Sequence, residues 1–422
     1  MGLCAHGIFY SKWQQSVSIR MRAVTIKRFN LYLGRKDVMN IRKLGRLDTL
    51  IESQREKGKL QGATIVVEHK GKRVYENHYE PDREDSIYKI FSMTKPITAV
   101  AAMILYEKGE LDLMAKVSDY LPAFADCKVA SPEGIAKAVN PITIKDLLNM
   151  TSGIVYSGDF GEAERSMTRV YKEAKTQRQS GILKSNVDVC NKLAEGYLAF
   201  EPGSGFRYGH SADIMAGVIE VITGKKYSEF LKKEIFTPLN MEDTDFRIDE
   251  SKAFRQAVLY RRDKTGRVVR AEDDVRRRLE MENPTAIPWF EMGGSGLYST
   301  ANDYAHFAQM LLNKGSYHGK ELIGRRTLGF MTSPQLTPAQ RDTMDMESCI
   351  GYNYGNYFRI LEDPAMATSN GSIGEYGWDG KAGTYFFVDP NEELIFIYMQ
   401  QIEGGCDYSF IRGLKQIVYG AI

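Results

Sequence analysis

Cysteine is scarce and scattered in this chain of 422 residues: Cys4, Cys127, Cys190, Cys349 and Cys406 are odd in number and never stand as a Cys-x-x-Cys pair. Neither a disulfide framework nor a zinc site is read from them, and a reducing, cytoplasmic compartment is the simpler setting. Histidine is equally sparse. His6, His69, His78, His210, His306 and His318 form no ligand cluster, and no Gly-x-x-x-x-Gly-Lys-Ser/Thr loop is present, so neither a metal nor a nucleotide cofactor is expected. Charge of one sign is not in excess. A formal charge of +2 argues against a nucleic-acid partner, and small-molecule chemistry stays open. No run approaches the roughly 18 uninterrupted apolar residues that a membrane span needs. In residues 1–36 the charges Lys12, Arg20, Arg22, Lys27 and Arg28 interrupt the place where the apolar core of a signal peptide would sit. Residues 1–37 read as a basic N-terminal extension, either an anchor for an anionic surface or a disordered start ahead of Met21 or Met39.

What the chain does have is a core. Hydrophobic residues make up 43%, with 24 Tyr and 19 Phe, enough for two domains or for one large domain with an inserted lobe. Apolar residues at three- and four-residue steps (Ile41, Leu44, Leu47, Leu50, Ile51) predict an amphipathic helix within 38–60. The pattern then changes period. Ala63 to Val67, a turn at Lys70–Lys72 and the alternation from Arg73 to Tyr79 predict a β-hairpin over 62–80. From Ser92 to Gly109 the spacing is helical again, with Pro96 tolerated in the first turn. Helical runs separated by Gly, Pro and Ser clusters fill 110–290, and Arg255 to Arg278 reads as a solvated hairpin turning at Asp263–Gly266. Beyond 290, strands are expected at Thr384–Val388 and Leu394–Met399, followed by a helix over Tyr408–Tyr419. Strands near both ends with helices between them imply one sheet completed by the N- and C-terminal parts: a sheet domain of 38–110 and 290–422, and a helical lobe of 111–289.

Ser92-Met93-Thr94-Lys95 starts the predicted helix of 92–109. Residues at i and i+3 share a helix face, and a lysine shielded from water can lose its proton near neutrality and serve as base to a hydroxyl. On its own the spacing equally describes an N-cap serine beside a solvent lysine, so the surrounding text has to decide.

That text is Ile90-Phe91-Ser92-Met93-Thr94-Lys95-Pro96, then Lys108 to Leu111 and Val117 to Pro122, then Leu147-Leu148-Asn149-Met150-Thr151-Ser152-Gly153. Glu201-Pro202-Gly203 leading to Tyr208-Gly209-His210-Ser211, Gly293 to Thr300, and Tyr376-Gly377-Trp378-Asp379-Gly380-Lys381 follow in the same order. The series resembles the serine β-lactamase and penicillin-binding protein superfamily, in its class C-like branch and closest to the family VIII carboxylesterases. No Gly-x-Ser-x-Gly elbow of an α/β-hydrolase is present.

The resemblance implies an α+β fold, an antiparallel sheet flanked by helices with an inserted, mainly helical lobe. It also implies that Ser92 is the nucleophile, Lys95 its base, and Tyr208 a proton relay whose phenol pKa a nearby amine would lower. The backbone N–H groups of Ser92 and Lys381 would form the oxyanion hole, with Tyr156, His210, Trp378, Asp379 and Gly380 facing substrate. His210 is expected to hold the lysine or the substrate by hydrogen bonds. Trp378-Asp379-Gly380 stands where β-lactamases carry Lys-Thr-Gly, which points to uncharged esters in place of carboxylate-bearing lactams. Asp379 is expected either to repel anionic acyl groups or to pair with the side chain of Lys381. The implied activity is hydrolysis of a small-molecule ester through an acyl-enzyme, with no cofactor. The alternatives with the same machinery are a β-lactamase, a D-amino-acid peptidase or amidase, or an acyltransferase, and beyond these a catalytically silent binding protein.

Overall fold

The run Ala63-Thr64-Ile65-Val66-Val67, rich in β-branched residues, explains the first strand. Ala63–His69 (β1) is buried at every position, so both of its faces are covered, whereas Lys72–Tyr79 (β2) carries charged, exposed residues as an edge strand should. The computed structural model describes residues 39–281, 283–405 and 407–422; the extension expected over 1–37 lies outside them. Five further strands, Tyr352–Gly355 (β3), Phe358–Leu361 (β4), Tyr376–Asp379 (β5), Tyr385–Asp389 (β6) and Leu394–Met399 (β7), join the hairpin in one antiparallel sheet. The order is β3-β4-β5-β6-β7-β1-β2, so β1 pairs with β7 and the two ends of the chain complete one sheet.

The side-chain period of two sorts the sheet's neighbours. Phe386 meets Tyr304 of the helix Ala301–Leu312 edge to face, while Phe387 stacks on Tyr419 of the helix Tyr408–Tyr419. Helices therefore flank both faces, the α+β arrangement expected. The helix Arg46–Glu56 packs beside Tyr408–Tyr419 and buries Leu47 and Ile51.

Thr94–Glu107 (α1) is buried from Thr94 through Leu105, the signature of a helix surrounded on all sides. It packs on Ser211–Thr223 (α2), itself buried from Ser211 to Ile219. These two central helices bring residues more than a hundred positions apart to one place.

Three strands escaped the periodicity. β3, β4 and β5 are four residues each, and strands so short and so nearly buried show no alternation. Between 128 and 137 a small hairpin also interrupts the expected helical run. The hairpin expected within 255–278 exists, as Tyr260–Arg262 paired with Val268–Arg270, yet the segment is only partly solvated. Its residues Leu259, Ala271 and Val275, with Leu279 and Met281 just beyond it, are buried in a cluster with Phe91.

Candidate active site

Ser92 sits in a single 3-10 turn, Phe91–Met93, that runs into α1. Phe91 holds the turn in the left-handed region at φ 44°, a conformation costing a phenylalanine roughly 1–2 kcal/mol. Two features hold it there. The Phe91 ring is buried in the cluster with Leu259, Val275 and Leu279, and the Ile90 carbonyl is pinned by Met93 N–H at 3.1 Å and Thr384 Oγ1 at 3.2 Å. The strained turn presents Ser92 to a cavity of about 540 Å³.

Lys95, one helical turn on, is fully buried. Its Nζ lies 3.1 Å from Ser92 Oγ, 2.9 Å from Tyr156 Oη and 2.7 Å from the Gly294 carbonyl oxygen. The three partners accept from the three N–H groups of the ammonium; in the neutral amine two N–H groups donate to Gly294 and Tyr156 and the lone pair faces the Ser92 hydroxyl. Burial draws the lysine down to about 7, against the opposing pull of Asp213 and Asp379. The amine also lies over the Tyr208 ring, 4.6 Å from its centroid.

Tyr208 reaches the same cavity from the loop before α2. Its neighbour Gly209 explains how: a Cβ there would stand 2.0 Å from the Ile154 carbonyl oxygen, so only glycine lets this loop close on the segment carrying Tyr156. Tyr208 Oη accepts a hydrogen bond from Trp378 Nε1 at 3.0 Å. The expected lowering of its phenol pKa is reversed. Burial raises it well above the usual phenol range, with hydrogen bonding to Ser92 and Trp378 pulling only partly the other way. Tyr208 therefore keeps its proton beside a lysine that gives its own up near neutrality.

His210 Nδ1 is 2.7 Å from Asp213 Oδ2, and Asp213 Oδ1 accepts from Gly294 N–H at 2.7 Å. Asp213 thereby fixes both His210 and the loop whose carbonyl holds Lys95. The His210 ring stacks on Tyr171 and meets Tyr156 edge-on, so it reaches the lysine through Tyr156 and Asp213.

The strand β5 supplies the opposite wall. Trp378 is buried against Tyr208 and Tyr354. Asp379 pairs with Arg359 Nη1 at 2.5 Å and not with Lys381; that guanidinium is only 2% exposed and stacks over Tyr385. Gly380 turns the chain, its N–H bonded to the Thr384 carbonyl at 2.7 Å, and a Cβ there would strike Ile90 O and Thr384 Oγ1; it is not among the residues lining the cavity. Ser92, Tyr156, Tyr208, His210, Trp378, Asp379 and Lys381 all line the one cavity, with Leu279, Met292 and Met346 as its apolar surface.

Sequence reasoning passed over Asp213, Tyr171, Gly294 and Arg359. Asp213 carried a readable signal, three residues after His210 on one helix. Arg359 carried none, since its partner is on a neighbouring strand.

The β-lactamase family model matches residues 47–412. Protein Rv1367c of Mycobacterium tuberculosis is 28% identical over 366 residues, covering 82% of this chain and 86% of the relative. Esterase EstB of Burkholderia gladioli is 27% identical with the same coverage of each. Among solved structures, EstCE1, described as a hydrolase with promiscuous acyltransferase activity, superposes with a TM-score of 0.74 at 20% identity, over 90% of this chain and 99% of its own. A model match spanning most of the chain, over a fold and an ordered set of motifs that agree with it, places this protein in the β-lactamase family.

Proposed function

We propose that the protein is a serine hydrolase that cleaves carboxylic esters through an acyl-enzyme on Ser92. The observation that carries the reading is the Ser92 Oγ to Lys95 Nζ contact of 3.1 Å, made by an amine that burial brings to about 7. Neutral Lys95 takes the hydroxyl proton as Ser92 Oγ bonds to the ester carbonyl carbon, and the carbonyl electron pair moves onto oxygen. The N–H groups of Ser92 and Lys381 stabilise that oxyanion. Collapse breaks the bond to the alcohol, which leaves with the Tyr208 proton, and the Lys95 ammonium restores the phenol. Water then attacks the acyl-enzyme, giving its proton to the same pair, and the acid departs as Ser92 recovers its hydrogen. Tyr156, Gly294 and Asp213 position the lysine; Trp378 positions Tyr208.

EstB is named an esterase, and Trp378-Asp379 presents an indole and a carboxylate paired with Arg359 where β-lactamases carry Lys-Thr. Acyl transfer to an alcohol is the second reading, favoured by the description of EstCE1. We assign residues 38–110 and 290–422 to the lobe bearing Ser92 and Trp378, and 111–289 to the lobe bearing Tyr156 and Tyr208. Cys127, Cys190 and Cys349 are free and buried, in keeping with a reducing, cytoplasmic location, and no helix among the described residues is long and apolar enough to cross a membrane. Comparing p-nitrophenyl butyrate with nitrocefin tests the choice: butyrate turnover that vanishes in Ser92→Ala is expected, and efficient nitrocefin hydrolysis without esterase activity overturns it.

A further inference from the structure

A second buried lysine lies beside the nucleophile and has no part in that chemistry. Lys89, three residues before Ser92, is 5% exposed. Its backbone is clamped by Gln401, which accepts from Lys89 N–H at 2.7 Å and donates to the Lys89 carbonyl at 3.1 Å. Among the described residues the ammonium makes one hydrogen bond, to the Glu280 main-chain oxygen at 3.2 Å, and otherwise lies over the Phe91 and Tyr298 rings. An ammonium has three donors and is rarely buried without an acid. The nearby acid is engaged elsewhere: Glu280 Oε1 accepts from Lys175 Nζ at 2.6 Å and from Trp289 Nε1 at 3.1 Å.

Lys89 lines the catalytic cavity and also a second one of about 470 Å³. Glu280 and Met292 border both, so the two spaces are adjoining. The second is walled by Phe246, Ile287 and Trp289 and carries Arg178, whose guanidinium donates to the Trp289 and Leu183 carbonyls. Charge in the joint cleft does not cancel. Asp379 pairs with Arg359, Glu280 with Lys175 and Arg278 with Glu403, whereas Lys89, Arg178 and Lys381 make no direct ion pair among the described residues, Glu280 and Asp188 acting on the first two only at longer range.

We propose that this adjoining cavity is a carboxylate-binding subsite centred on Lys89, so that the favoured substrates are esters carrying an anionic carboxylate on an apolar arm. The subsite lies on the Lys89 side of the cleft, and Trp378 and Asp379 do not line its cavity. Lys89 is a specificity residue: its ammonium receives the carboxylate, with Arg178 as the outer cation and the aromatic walls holding the arm. Burial lowers the lysine to about 8, and a bound carboxylate would hold its proton in place.

The inference rests on the esterase reading for catalysis, and its test separates the two. Mono-4-nitrophenyl adipate carries the carboxylate on the acyl side, 4-butyryloxybenzoate carries it on the leaving group, and the primary amide of each is its neutral comparison. The ratio of kcat/KM for acid over amide, measured within one protein, is independent of the fraction folded. An at least tenfold preference for one acid arm, falling to near unity in Lys89→Met, is expected. A preference that survives Lys89→Met, or a wild-type ratio of one or less for both arms, overturns the subsite while leaving the esterase standing. Calorimetric titration of the Ser92→Ala variant with the same acid and amide needs no turnover. Lys89-dependent binding of the acid there sustains the subsite even if the wild type hydrolyses neither ester, an outcome that would remove the esterase reading alone; equal binding of acid and amide overturns the subsite.

Discussion

The pH dependence of acylation follows from Lys95 and can be worked through. The general base must be unprotonated, so kcat/KM rises with the neutral fraction of the lysine. With the lysine at about 7, that fraction is about 9% at pH 6, half at pH 7 and about 91% at pH 8, a roughly tenfold rise followed by a plateau. No alkaline limb should follow through pH 9, because Tyr208 is raised above the usual phenol range and stays protonated. Asp213→Asn removes a carboxylate that favours the ammonium form, so the midpoint should move to lower pH. His210→Asn should leave the acid limb in place, since the proton counted is the lysine's. The assay is initial-rate hydrolysis of p-nitrophenyl butyrate at subsaturating ester from pH 5.5 to 9.5, corrected for nitrophenolate ionisation. An activity that keeps climbing through pH 9.5 would show a lysine at its ordinary value. An acid limb that disappears in His210→Asn would make the histidine the base, and either result refutes the assignment.

Tyr208→Phe keeps the ring and loses the proton donor, so kcat/KM should fall about 10²–10⁴-fold with the far-ultraviolet circular dichroism unchanged. Trp378→Phe removes only the indole hydrogen bond that orients the phenol and should cost far less, on the order of tenfold. Arg359→Ala leaves Asp379 without its buried partner and should lower unfolding free energy by about 3–5 kcal/mol in urea titrations, since an uncompensated charge is left behind. Gly209→Ala drives a methyl into the Ile154 carbonyl and should abolish activity together with a clear fall in melting temperature.

The elements legible in the sequence were those whose burial leaves a period or whose runs are long. The terminal helix Tyr408–Tyr419 and the edge strand β2 show the period, while β1 and the helix after Ser92 are buried throughout and were legible from runs of strand-forming and helix-spaced residues long enough to recognise. β3, β4 and β5 are short and buried on both faces, so their residues carry no alternation and their partners lie on other strands. The site divides in the same way. Ser92 and Lys95 announce each other through helical spacing, and Tyr208 and Tyr156 through their motifs. The Arg359–Asp379 pair and the Gly294 carbonyl on Lys95 arise from contacts across the sheet and across about two hundred residues, which no local pattern encodes. The phenol shift of Tyr208 was misjudged for a related reason. Proximity to a cation was readable from the motif, but the depth of burial that outweighs it is a property of the assembled fold.

The central claim is that Ser92 carries the acyl group. Rapid acid quench during p-nitrophenyl butyrate turnover, followed by peptide mass spectrometry, should find one butyryl group on the peptide containing Ser92 and none in Ser92→Ala. Turnover that persists in Ser92→Ala, or an acyl group on another residue, would contradict the account.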